Sequence, residues 1–301
     1  MPIVIHSSPR EFQRLLPYFL SGHLHIDGIL FSFLDRHDID LQSLYHLKRK
    51  LGTIIMLDSG AYSILAASIS GFGHSAREDD YIKMIVKTKN YERYLQDLIT
   101  YIRRHRHILD LYVELDLQDL VGSQKVWDWR AEFKAEGLKP ILVWHGEDED
   151  ETREMASYTG KFGIPRFTPD GTLPTDKLEW LIDISEHANW RHGFAYGLIK
   201  NKRKFDLVSH LNSIDSTAFV LSAAMLKIIY VSNNKLKTKF LRKLTKADVE
   251  EIRSADPELF DFLGLRKELA RGRYGYTTSK LLPIWNAMQI QKYYNRPYFL
   301  R

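Results

Sequence analysis

No cysteine occurs among the 301 residues. Disulfides, thiolate zinc sites and a cysteine nucleophile are therefore excluded together, and the absence accords with a reducing compartment. No apolar run approaches the roughly 18 residues that a helical membrane span needs. The start, Met1-Pro2-Ile3-Val4-Ile5-His6, has no basic segment leading into a hydrophobic one, so no secretory signal is expected. The reading is a cytoplasmic protein with no membrane association. Proline-rich linkers, low-complexity tracts and internal repeats are missing too, which argues against tethered modules. His74, His105, His107 and His210 have no metal-ligand spacing with nearby carboxylates, so neither a catalytic metal nor another cofactor is expected.

What is present suffices for a large core, with 44% apolar and 27% charged residues, close to ordinary globular usage. Charge is unevenly placed. Residues 224–301 hold 16 Lys/Arg against 7 Asp/Glu, whereas residues 1–223 hold 27 against 31. A mildly acidic body with a basic tail points to a polyanionic partner or to a solvated helical surface.

Short β-branched runs alternate with longer amphipathic ones, the pattern of a parallel α/β fold. Strands are expected at Gly28–Phe33, Thr53–Leu57, Leu111–Leu115, Pro140–Trp144, Tyr158–Ile164, Gly193–Gly197 and Ser213–Val220, with Met1–His6 as another. Between them, Tyr91, Tyr94, Leu95, Leu98 and Ile102 share one helical face, as do Leu178, Leu181, Ile182 and Ile184 within Asp176–Ala188. Seven or eight such units suit a TIM-type (β/α)8 barrel or a doubly wound open sheet. Polar residues recur where the apolar runs end: Asp58-Ser59-Gly60, Asp116, His145-Gly146-Glu147, Gly197 and Asp215-Ser216-Thr217. A barrel gathers all such ends on one face, so the pattern favours the barrel.

The barrel is expected over residues 1–223. A basic helical extension over 224–301 is expected to pack on it, with helices at Thr245–Ile252, Pro257–Arg271 and Thr278–Tyr294. The glycines of Ser68-Ile69-Ser70-Gly71-Phe72-Gly73-His74 suit a mobile loop over the site. Trp127, Trp129 and Trp285 read as core or interface anchors, and the acidic run Glu147–Glu151 as a solvated helix start.

Asp58 and Asp215 are the leading catalytic candidates. Each ends an apolar run and precedes hydroxyl residues, and a carboxylate so placed can act as nucleophile or general base at a sugar carbon. Asp116 and Glu114 alternate along Val113-Glu114-Leu115-Asp116. Either can accept two side-by-side N–H donors, as a guanine-like base edge presents.

These blocks resemble a known family. Leu57-Asp58-Ser59-Gly60-Ala61-Tyr62-Ser63 is similar to the Asp-Ser-Gly-Gly-aromatic-Gln signature of the tRNA-guanine transglycosylases, TIM barrels that exchange guanine for a 7-deazaguanine. Asp116, His145-Gly146, Phe162-Gly163-Ile164 and Ser213-Ile214-Asp215-Ser216-Thr217 follow in the family's order. Ala61 replaces the second glycine and Ser63 the glutamine, and the cysteine-rich zinc site of the tRNA enzymes is absent. Asp-Ser-Thr with Phe219 two residues on looks more like the DpdA-like DNA 7-deazaguanine transglycosylases.

The resemblance implies DNA, or tRNA as the second choice, as partner, with a 7-deazaguanine base as co-substrate. Asp215 would be the nucleophile and Asp58 the general base. Asp116, Glu114, Ser59, Gly60, His145, Gly146, Gly163 and Tyr196 are the expected substrate contacts. Lys202, Arg203, Lys204, Lys237, Lys239, Arg242, Arg271 and Arg273 are the expected nucleic-acid contacts, with Tyr274 and Tyr276 available to stack on bases or to pack. A hydrolase using the same aspartates and a catalytically silent nucleic-acid-binding subunit remain as alternatives.

Overall fold

The computed structural model describes residues 1–7, 17, 19–20, 24–70, 80–168, 171–199, 201–216, 218–270 and 278–294. Among the described residues, ten strands precede residue 217: β1 (Ile3–Ser7), β2 (Gly28–Ser32), β3 (Ile54–Asp58), β4 (Leu111–Tyr112), β5 (Leu142–Val143), β6 (Lys161–Pro165), β7 (Phe167–Thr168), β8 (Gly171–Thr172), β9 (Trp190–Phe194) and β10 (Ser213–Ser216). Strands β7 and β8 form a small antiparallel hairpin. The other eight form one parallel sheet in the order β4-β3-β2-β1-β10-β9-β6-β5. Its two end strands meet. Val113 bridges Ile141 in parallel, Ile141 N donates to Tyr112 O at 2.8 Å, and Glu114 N donates to Ile141 O at 3.1 Å. A sheet joined end to end in chain order is a barrel of the TIM type, and the open-sheet alternative falls with that closure.

Side-chain alternation along the strands separates two cores. Ile5, Leu30, Met56, Leu111, Val113, Ile141 and Val143 fill the barrel, with Ile3, Ile54, Trp190 and Phe194 packed against them. Residues of the opposite parity, such as Val4, Ile29, Phe31, Ile55, Leu57, Phe162, Ile164 and Ile214, face the helical shell. The helix Tyr91–His105 buries Tyr91, Tyr94, Leu95, Leu98, Ile99 and Ile102, the face its periodicity predicts. It is capped by Asn90 and ends in Arg103, Arg104 and His105, where cations oppose the negative end of the helix dipole.

Three expected strands are displaced, each for a local reason. Tyr158 closes the helix Glu149–Tyr158, and Gly160 at φ 69° turns the chain before β6 begins. The strand expected at Gly193–Gly197 lies three residues earlier, because Ala195 at φ 64° breaks the extended backbone. The run expected to continue to Val220 stops at Ser216, and Ala218–Ala224 is helical.

The C-terminal extension is not wholly helical. It opens with an antiparallel hairpin of β11 (Lys227–Ser232) and β12 (Lys235–Phe240). Asn233 and Asn234 make its two-residue turn at φ 51° and 56°, the left-handed pair that a type I′ turn requires. Helices follow at Lys246–Ala255, Pro257–Phe262, Leu265–Ala270 and Thr278–Tyr293. The single helix expected over Pro257–Arg271 is interrupted at Gly264, φ 63°.

The last helix covers the hairpin and ties it to the barrel. Asn286 Oδ1 and Gln289 Oε1 accept from the N–H groups of Ile229 and Val231 at 2.8 and 3.0 Å, occupying a strand edge that would otherwise be open. Trp285, fully buried, donates to Ile229 O at 2.6 Å, and Tyr294 donates to Tyr196 O at 2.8 Å. Trp129 is buried as well, and Trp127 is partly so. Among the described residues, no helix is long and apolar enough to cross a membrane.

Candidate active site

The C-terminal ends of the parallel strands bring four of the expected residues to one mouth. Asp58 is the last residue of β3, and Asp215 the third of β10. Asp116 and His145 follow β4 and β5. Between β10 and β3 lie the ends of β1 and β2, where Ser7 keeps a buried hydroxyl with no partner among the described residues.

Asp58 is built into its turn. The N–H groups of Ser59 and Gly60 bond its carboxylate, the latter at 3.0 Å to Oδ2. Gly60 adopts φ 81°, and a Cβ there would stand 2.8 Å from both Leu34 Cγ and the Tyr94 hydroxyl. That hydroxyl donates to Ser59 O at 2.6 Å. Ser59 and Gly60, expected to touch substrate, therefore serve to fix the carboxylate. Burial raises the Asp58 pKa from 3.8 to about 6, against the two N–H bonds, and the charges of Asp215 and Asp116 push in the same direction. Three carboxylates from three strand ends thus share one electrostatic neighbourhood.

Asp215 is held by one oxygen. Ala195 N donates to its Oδ1 at 2.6 Å, and Gly197 N donates to its backbone carbonyl at 3.1 Å. The left-handed Ala195 aims that N–H, and Arg166 pins the turn by donating to Ala195 O at 3.1 Å and Leu198 O at 3.2 Å. A non-glycine residue held in this conformation stores strain, which concentrates at functional sites. Beneath Asp215 lie His192 and Ser213, both fully buried.

Asp116 Oδ2 stands 2.6 Å from His145 Nε2, and both side chains are partly exposed to the mouth. Burial lowers the imidazole pKa, but the Asp116 carboxylate outweighs it, with Glu147 and Glu114 adding to the effect, and the net direction is upward from 6.5. Together the pair offers a carboxylate acceptor beside an imidazole whose protonated form it favours.

Several expectations are corrected. Glu114 does not share the mouth with Asp116. It is buried on the outer face of the barrel, where Arg130 binds it through two bonds of 2.7 and 3.0 Å and Val143 N donates to it at 2.7 Å. Gly163 faces the barrel interior, but Phe194 fills the space above it, and a Cβ would meet the Phe194 ring at 2.6 Å. Tyr196 turns into the shell and donates to Pro165 O at 3.2 Å. Gly146 is exposed, yet its N–H and that of His145 already bond Glu147 Oε2, at 3.1 and 2.6 Å. Glu147 itself is buried rather than part of a solvated run.

Three of the six described cations of the expected basic surface are neutralised. Arg203 pairs with Glu179 at 2.6 Å, Lys237 with Glu251 at 2.5 Å, and Lys239 with Asp248. Lys204 donates to Leu173 O at 2.5 Å. Lys202 is exposed, and Arg242 lies over the Phe240 ring. Arg271, Arg273, Tyr274, Tyr276, Thr217 and residues 71–74 of the expected loop fall outside the described residues, as does the Phe219 side chain, whereas Ser68–Ser70 of that loop end the helix Ala61–Ser70.

Sequence reasoning missed His192, Ser213, Ala195, Arg166 and Ser7. A buried histidine on a strand carries no local signal. Ser213 did stand in view, two residues before Asp215 and hence on the same barrel face.

No protein-family model matches the chain, and no curated protein matches its sequence. Among solved structures, it is similar to the YdjI aldolase from Escherichia coli K12, with a TM-score of 0.47, 12% identity, and 98% of this chain and 92% of that one covered. It is also similar to a tryptophan synthase complex from Pyrococcus furiosus, with a TM-score of 0.43, 12% identity, and 75% and 90% covered. These are likenesses of architecture and carry no argument about chemistry.

Proposed function

We propose that the chain exchanges guanine in nucleic acid, in DNA rather than tRNA by its motif, for a 7-deazaguanine base through a covalent glycosyl-enzyme. The observation that carries this reading is the trio Asp58, Asp116 and Asp215 at one barrel mouth, with Asp58 raised to about 6. In the first displacement, the oxygen of Asp215 not held by Ala195 attacks C1′ as the C1′–N9 bond breaks. Guanine leaves with the N9 electron pair and takes a proton from Asp58 in its acid form. In the second, the incoming base gives its N9 proton to ionised Asp58 and attacks C1′, and Asp215 departs as a carboxylate. A group that titrates near 6 serves both directions at neutral pH.

Asp116 and His145 supply the recognition. A carboxylate accepts the two N–H groups of a guanine-like edge while an imidazolium donates to its carbonyl. The target base must leave its stack, at a cost of about a few kcal/mol. Lys202 and Lys204, at the start of the helix that follows β9, stand closest in sequence to the Asp215 turn and are the cations retained as phosphate contacts. Glu114, Gly163 and Tyr196 have no substrate role in this reading.

Incorporation of radiolabelled guanine into duplex DNA, with tRNA assayed in parallel, tests it. Label retained in DNA and lost in Asp215→Ala is the expected result. Release of free base without incorporation points to a hydrolase. Salt-dependent binding with no turnover points to a silent binding subunit.

A further inference from the structure

Asp215 Oδ1 receives the Ala195 N–H, and a second group stands near the same oxygen. His192 Nε2 lies 3.5 Å away, longer than a formed hydrogen bond, and is buried with no other partner among the described residues. His192 sits on β9 and faces the barrel interior, fully buried, with its ring edge-on to Phe194 at a centroid distance of 4.5 Å. Its other nitrogen, Nδ1, is 2.8 Å from Ser213 Oγ. Ser213 Oγ is in turn 2.9 Å from Trp190 Nε1. Among the described residues the Ser213 hydroxyl bonds no other group.

Donor inventory fixes the direction of this chain. An indole nitrogen only donates, so Trp190 gives its proton to Ser213 Oγ. Ser213 keeps one proton of its own, and the acceptor in reach is His192 Nδ1. A neutral imidazole that accepts at Nδ1 carries its proton on Nε2. That proton lies on the Asp215 side of the ring, where Oδ1 is 3.5 Å from Nε2. The opposite tautomer would leave the Ser213 proton without an acceptor in a sealed site and would turn the Nε2 lone pair against a carboxylate. Both are costly where water is excluded.

We propose that His192 is a positioning residue for Asp215, held by Trp190 and Ser213 in the neutral tautomer protonated on Nε2. The donors Ala195 N–H and His192 Nε2–H then converge on Oδ1 and leave Oδ2 facing the mouth as the attacking atom. The tautomer stands on geometry alone, and the kinetic consequence rests on the glycosyl-transfer reading above.

The test has two arms on the full chain. Nitrogen-15 spectra of histidine-labelled protein near neutral pH, with His192 assigned from the His192→Gln spectrum, should place the proton on Nε2 and leave Nδ1 pyridine-like. A proton on Nδ1, or an imidazolium, overturns the proposal, and this arm needs no substrate. In the exchange assay, His192→Leu should lower kcat by on the order of 10²-fold through misplacement of the nucleophile, with KM unchanged. His192→Gln, whose amide N–H can reach the position of Nε2–H, should recover most of that loss. Wild-type kcat in His192→Leu overturns the proposal. If neither DNA nor tRNA is a substrate but the proton is on Nε2, the exchange reading fails and the positioning geometry stands.

Discussion

The raised carboxyl of Asp58 makes a prediction about stability that needs no substrate. Its pKa is 3.8 in an ordinary setting and about 6 in the fold, a difference worth about 3 kcal/mol at roughly 1.4 kcal/mol per unit. The native state binds this proton more tightly than the unfolded chain does. Below pH 3.8 the group is protonated in both states and the penalty is absent. Between 3.8 and 6 only the unfolded chain ionises, so stability falls as pH rises. Above 6 the full penalty is present and constant. Asp58→Asn cannot ionise and keeps an oxygen for the Gly60 N–H. The variant should match wild type near pH 4 and exceed it near pH 8 by as much as about 3 kcal/mol. Urea unfolding of both proteins at the two pH values reads the difference of differences. A gap that is equal at both ends, or that narrows toward pH 8, would refute the reasoning, because Asp58 would then not be crowded by burial and by its two acidic neighbours.

The same group should make kcat/KM for the nucleic-acid substrate fall as pH rises through about 6, because the first displacement uses its acid form, and Asp58→Asn should flatten that limb, as pH–rate profiles would record. Glu114→Ala, which leaves Arg130 buried and unpaired, should cost about 3–5 kcal/mol of stability. The double change Glu114→Leu with Arg130→Met should cost less, and chemical denaturation distinguishes the two. Gly197→Ala would place a Cβ 2.0 Å from Ser216 Cβ and should destabilise the barrel by about 1–3 kcal/mol while displacing the Asp215 turn, seen as a lower Tm with abolished turnover. Lys202→Ala with Lys204→Ala should weaken DNA binding and flatten its salt dependence by about one unit of slope for each phosphate left unneutralised. Lys237→Ala and Lys239→Ala should change neither, because Glu251 and Asp248 already hold those cations.

The barrel was legible because its strands are β-branched runs whose ends carry Asp58, Asp116, His145 and Asp215, and parallel topology sends such ends to one face. Exact limits were not. Gly160 and Ala195 impose left-handed turns that hydrophobicity does not encode, and Phe-Val-Leu after Ser216 reads as strand or helix with equal ease. The β11–β12 hairpin was legible in principle. Asn233-Asn234 between alternating segments is a turn signal that the basic composition of the tail obscured. Glu114 misled for a different reason: strand periodicity put it on the face of Asp116, but β4 ends at Tyr112 and the alternation does not continue through Asp116. Ion pairs of the tail lie beyond what local sequence can tell, since Lys237 finds Glu251 through a hairpin and a helix.

The barrel's closure has a consequence for the proposed entry and exit of bases. Strands β4 and β5 are two residues long and meet through a single bridge, with the Glu114 carboxylate riveting the junction to Val143 N and Arg130. Asp116 and His145 stand on either side of that junction, whereas Asp215 and His192 stand on β10 and β9, where the ladder continues unbroken from β1 to β6. In the proposed exchange, base recognition would be mounted on the sparsely bonded side of the barrel and the nucleophile on the fully laddered side. In the exchange proposed above, one base would be released and another admitted by loosening the junction while the covalently held sugar stays fixed. The signature of that division of labour is amide exchange that runs faster at Val113 and Ile141 than at Ile214.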